Sequence, residues 1–162
     1  MKHLFLVCFL SIILIKSHAQ RQNSLKIHGG AEFTSGFFAD GYEAGWGIYV
    51  TDYIEVNKGG NIVLSTGGAF WNSKGEPISK AGIWLTRFGY RQFVISGLYL
   101  QSDAGLGIGL KNFTGSTRFV FGVGPGYLIK NKTGGGFDIS VRYNRGFNRT
   151  WFGLGVGYQF NL

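Results

Sequence analysis

Between residues 98 and 110, apolar residues alternate with polar or minimal ones without a break. Leu98, Leu100, Ala104, Leu106, Ile108 and Leu110 fall on one phase with Ser102. Tyr99, Gln101, Asp103, Gly105, Gly107 and Gly109 fall on the other. A period of two is a strand with unlike faces, but strands of soluble proteins commonly run only about 5–6 residues. Thirteen residues suit a strand that crosses a bilayer at a slant, with lipid on one face and a barrel interior on the other.

The same alternation marks seven further segments, at 25–33, 42–56, 61–71, 78–90, 117–130, 137–143 and 151–162. In the first, Leu25, Ile27, Ala31 and Phe33 oppose Lys26, His28, Glu32 and Thr34. In the second, Tyr42, Ala44, Trp46, Ile48 and Val50 predict an outward face, and Asp52 breaks their phase, which predicts a bulge or an early end. The fourth is ambiguous, because Trp84, Phe88 and Tyr90 compete with Ile83 and Leu85 for the outside. In the sixth, Pro125 removes a ladder donor and predicts a bulge or kink. Short polar connections separate the segments, among them 57–60, 72–77, 111–116, 131–135 and 146–150. No helical period appears beyond the first twenty residues.

That N-terminal stretch is expected to be a signal peptide, residues 1–19. Lys2 and His3 precede an apolar run from 4 to 15, and Ser17 and Ala19 put small residues at the two positions a signal peptidase reads. The run is shorter than the roughly 20 residues a membrane-spanning helix needs, and Cys8 within it has no lipobox around it. The remaining chain, 20–162, is expected to form one domain without cysteine, so hydrogen-bond closure rather than disulfides must hold it. Losing Lys2 and Lys16 lowers the formal charge from +8 to +6. The cations are scattered singly rather than clustered, which argues against nucleic acid and suits the phosphates of an anionic outer leaflet. Twenty-eight glycines alternating with Leu, Ile, Val and Phe read as strand interior, where a missing side chain leaves room for a larger one opposite.

Eight strands joined by short turns fill the chain, and lipid tolerates no open sheet edge, so the expected fold is all-β: an eight-stranded antiparallel up-and-down transmembrane β-barrel after a cleaved signal peptide. A soluble lipocalin-like barrel or sandwich would carry its apolar face inward. The aromatic load, the signal segment and the terminal amphipathic strand favour lipid outside.

Four stretches in succession, 97–109 (GLYLQSDAGLGIG), 119–127 (FVFGVGPGY), 137–143 (FDISVRY) and 152–160 (FGLGVGYQF), are strand signatures with a wider likeness. From about residue 78 to the C-terminus the chain resembles the small outer-membrane β-barrel proteins of Bacteroidetes-type bacteria, within the broad OmpA/OmpX-like superfamily. The resemblance implies a bacterial cell outer membrane location, outer-membrane lipid and lipopolysaccharide as surroundings, insertion by the barrel-assembly machinery, and no particular activity. Such barrels usually end on an aromatic residue, whereas this chain ends Phe160-Asn161-Leu162, with Leu162 keeping the apolar phase.

Candidate chemistry is sparse. His28 is the one histidine left after residue 19; with Glu32 four residues on it could act as a base with its orienting acid, yet no nucleophile elbow accompanies it. No enzyme activity, cofactor or metal site is expected, since no paired His or Cys spacing occurs and the glycine runs lack the spacing and strand-to-helix setting of a phosphate loop. The inward phase instead predicts a lumen charge network of Lys26, His28, Glu32, Glu43, Asp103, Arg118, Asp138 and Arg142, with Arg118 or Arg142 paired to Asp103 or Asp138. Two classes of function follow: a monomeric structural or surface-interaction barrel with a charge-filled lumen, or a narrow pore for water, ions or small solutes, with a lipid-modifying enzyme as a weaker third.

Overall fold

The computed structural model describes residues 23–74, 80–110, 116–132 and 135–162. Eight strands run in chain order: β1 (Asn23–Ser35), β2 (Tyr42–Asn57), β3 (Gly60–Ser73), β4 (Lys80–Phe93), β5 (Leu98–Leu110), β6 (Thr117–Lys130), β7 (Gly136–Gly146) and β8 (Arg149–Asn161). Each pairs antiparallel with its neighbours in sequence, and β1 pairs with β8 from Ser24↔Asn161 to Ser35↔Thr150. This is a closed eight-stranded barrel with no free edge. The expected signal segment lies outside the described residues.

The facing follows the alternation. Ile27, Ile48, Leu106, Ile108, Val141 and Leu154 point outward and are exposed, while Lys26, Glu32, Asp103 and Asp138 point inward and are buried. Aromatic side chains on the outside gather in two bands. One, near the chain termini, sets Phe137, Tyr158 and Phe160 edge to face; the other, near the opposite end, joins Trp46 to Phe70, and Tyr143 to both Phe121 and Phe152. Aromatic rings at both interfaces with aliphatic residues between them are the exterior a bilayer selects.

Three expectations are corrected. Pairing runs unbroken through Asp52, against Leu25 on one side and Leu64 on the other, so no bulge forms there. The register instead shifts between Tyr42 and Gly45 and between Glu55 and Asn57. The first shift turns Tyr42, expected outside, against the buried aromatic cluster. At Pro125 the β6–β7 ladder lapses between Val123↔Tyr143 and Gly126↔Ser140, as the missing donor predicts, but resumes in the same register, so no bulge forms there. The ambiguous strand β4 turns Trp84, Phe88 and Tyr90 outward, and Ile83, Leu85, Arg87 and Arg91 inward. One short helix, α1 (Phe37–Gly41), in the first connection had no helical period to announce it.

Candidate functional site: the barrel lumen

The lumen is built in two tiers. Nearest the termini, Ser24 accepts a hydrogen bond from Gln159 Nε2 at 2.8 Å, and Gln159 Oε1 accepts one from Arg91 Nη1 at 3.1 Å. Above them Asp138 accepts hydrogen bonds from Lys26 Nζ at 2.5 Å, Tyr99 OH at 2.8 Å and Arg91 Nη2 at 3.4 Å. The Arg91 guanidinium lies between two rings, 3.7 Å from the Tyr53 centroid and 3.8 Å from that of Tyr99, and donates to Tyr53 OH and to Gln101. A planar, weakly hydrated cation held between aromatic faces while its fork satisfies acceptors in the ring plane is an arrangement lysine could not reproduce.

A second carboxylate sits higher. Asp103 is 2.5 Å from Arg142 Nη2 and 3.4 Å from Arg87 Nε, and accepts from Gln101 at 3.1 Å. Arg87 also donates to Asn144 Oδ1 at 2.9 Å. Glycines opposite make this possible. A Cβ on Gly126 would lie 2.2 Å from the Tyr99 ring, and one on Gly122 would lie 2.7 Å from the Arg142 guanidinium and 2.8 Å from Asn144. Burying charges at this density is tolerable because each of these carboxylates and cations meets an opposite charge.

Toward the other end the lumen turns apolar. Trp71, Trp151, Ile83, Leu85, Val120, Ala69 and Ala81 form one buried cluster. Trp71 meets Trp151 edge-on at 5.6 Å, and Phe38, carried into the barrel mouth by α1, meets Trp71 at 5.1 Å. Phe147 joins from the β7–β8 turn at a positive φ of 56°. A bulky residue there costs of order 1–3 kcal/mol of backbone strain, which its packing in the plug offsets.

The structure brings Lys26 to Asp138 and Arg142 to Asp103. His28 and Glu32 do not meet directly: His28 stacks on Tyr49 with centroids 5.1 Å apart, and Tyr49 OH donates to Glu32 at 2.8 Å. Glu43 and Arg118 fall outside the network. Both are exposed near the far rim, Glu43 because the register shift beside it ends its inward phase, and Arg118 because it lies at the very start of β6, where its guanidinium turns to the Thr117 carbonyl. Sequence reasoning missed Arg87 and Arg91, which carry much of the network. Their shared phase was the usable signal, since a lipid face does not hold two arginines in mid-strand.

A closed barrel with a paired-charge interior and an aliphatic, aromatic-banded exterior defines the class: a small transmembrane β-barrel of the bacterial outer membrane. Solved structures of that class share the fold. The attachment invasion locus protein Ail of Yersinia pestis superposes with a TM-score of 0.59 at 17% identity, over 88% of this chain and 100% of Ail. Neisserial surface protein A superposes at 0.60 with 12% identity, over 87% of this chain and 97% of that protein. A de novo designed transmembrane β-barrel superposes at 0.53 with 13% identity, covering 85% and 95% of the two chains. No family model and no curated protein sequence matches the chain.

Proposed function

We propose that this protein is a non-enzymatic surface-interaction barrel whose lumen is a brace rather than a pore. One observation carries the reading: along the barrel axis, Gln159, the Asp138 cluster, the Asp103 cluster and the Trp71–Trp151 pair succeed one another, each filling the cross-section with side chains that bond or pack to the next strand. Interaction is thereby left to the rims. The connections on the side of the termini are at 58–59, 94–97 and 131–135; on the other side 147–148 is tight but 36–41, 74–79 and 111–116 are longer, which supports reading that side as the outer one.

That outer rim is cationic. Lys74, Lys80, Arg118 and Arg145 are exposed there, against Asp40 and Glu43. Arg145 stands on the outward face of β7 just beyond the Tyr143 aromatic band, at the level of lipid headgroups. Guanidinium pairs phosphate bidentately, so the rim suits the phosphates of lipopolysaccharide. Ail has been solved with the heparin analogue sucrose octasulfate, another dense polyanion. The reading includes membership of the OmpA/OmpX-like superfamily, a monomeric state, and insertion by the assembly machinery through the terminal strand.

Two measurements test it. Reconstituted in planar bilayers, the protein gives no unitary current; a reproducible conductance step makes it a pore. In detergent micelles, added lipopolysaccharide raises the unfolding temperature. The double change Arg118→Glu with Arg145→Glu weakens that binding about tenfold or more, each basic residue near an anionic surface being worth about 1 kcal/mol. An unchanged shift removes lipopolysaccharide as the partner of this rim.

A further inference from the structure

The inner face of β8 is bare between Trp151 and Gln159, where Gly153, Gly155 and Gly157 occupy every inward position. Some inner glycines elsewhere lie against a ring or a guanidinium, as Gly126 does against Tyr99 and Gly122 against Arg142. Beside Gly153 and Gly155 a space of about 20 Å³ is left, lined by His28, Glu32, Tyr49, Arg87, Ser140 and Arg142. It lies above the Arg142–Asp103 pair and below Trp151. Four buried polar atoms of these lining residues have no hydrogen-bond partner: Glu32 Oε2, His28 Nδ1, Arg142 Nε and Arg87 Nε, the last 3.4 Å from the Asp103 carboxylate.

Glu32 is also the acidic lumen residue that has no cation within ion-pair distance among the described residues, since Asp103 and Asp138 take all four lumen cations. A carboxylate in that position is stabilised by its Tyr49 hydrogen bond and by whatever fills the space beside it. We propose that this space is a binding site for one structural water molecule, which couples Glu32 and His28 to Arg142. The volume exceeds the roughly 10–15 Å³ a water requires and leaves no room for a larger solute. A metal cation is opposed by the Arg87 and Arg142 guanidinium groups, and a halide by the Glu32 carboxylate. Water alone accepts from the Arg142 N–H while donating to the carboxylate and the imidazole nitrogen. The bridge joins the upper carboxylate to the Asp103 cluster, making one polar network from Ser24 to Glu32. This site is independent of what the outer rim binds.

Crystal structures of the full-length mature protein and of Gly155→Ala provide the test. The new Cβ would come 3.2 Å from Ser140 Oγ and 3.5 Å from the His28 ring, inside the space. The expected result is one ordered solvent peak within hydrogen-bond reach of Glu32 and Arg142 in the parent, lost in Gly155→Ala and retained in Glu32→Gln. An empty site in the parent, a direct Glu32–Arg142 contact, or an anomalous peak at that position after bromide or rubidium soaking overturns the proposal. Oxygen-17 relaxation dispersion in micelles gives a second reading that needs no crystal: the count of long-lived internal waters falls by one in Gly155→Ala, and an unchanged count overturns it.

Discussion

The two tiers of the lumen solve the same problem with opposite materials. Around Asp138, two cations, a phenol and a carboxylate are cross-bonded in a volume that excludes solvent. Around Trp71 the same cylinder is filled by indoles and aliphatic groups, held by packing alone. The charged tier is demanding in composition, because each member is tolerable only while its partner is present. The aromatic tier is demanding in volume, because an indole removed leaves a void its neighbours fill only in part. Within one barrel, then, adjacent tiers fail for different reasons and are rescued in different ways.

The largest effect is expected from Asp138→Leu. It strands Lys26 and Arg91 without their carboxylate and costs roughly 3–5 kcal/mol in urea unfolding from lipid vesicles. Adding Lys26→Met should recover part of the loss; no recovery means the pair was never coupled. Trp71→Ala, on the other side of the comparison, is expected to cost about 3 kcal/mol through the void it leaves, with no partner change able to rescue it. Combined with Asp138→Leu its effect should add within about 0.5 kcal/mol, as for sites with no shared partners; strong coupling would show the tiers to be one unit. On the outside, Leu106→Arg puts a charge at mid-strand facing lipid and is expected to cost about 2–4 kcal/mol, against roughly 0–1 for Leu110→Arg at the interface. Equal costs would overturn the assignment of depth. A matched polar change on the inner face is unsuitable at Gly105, where a Cβ would sit 2.0 Å from the Thr86 carbonyl oxygen.

These tiers also explain what the chain discloses before it is folded. Strands β5 to β8 were legible because their inner faces are charges and glycines and their outer faces are bulky, so period two separates them cleanly. Strand β4 was not, because it lines the aromatic tier. Ile83 and Leu85 face inward there while Trp84 and Phe88 face lipid, and hydropathy alternates with no contrast between the faces. The arginines settle the phase, and reading them first would have placed Arg87 and Arg91 in the network. The shift at Tyr42 was hidden for another reason: an irregularity of register leaves the residue types unchanged and alters only which way they point. Arg118 shows a third limit, since phase gives the side of a strand but not the height at which the barrel ends.

Arg91 draws its partners from almost every quarter of the chain. Tyr53 is 38 positions away, Asp138 47 and Gln159 68, and Lys26 reaches the same carboxylate across 112. None of these bonds can form along a growing hairpin, because each needs strands that meet only when the sheet has curled round on itself. An open sheet would leave this guanidinium with Gln101, its neighbour across the β4–β5 pairing, while these other acceptors were still far off. Ring closure and charge neutralisation are therefore coupled: the seam between β1 and β8 is also what carries Lys26 to Asp138.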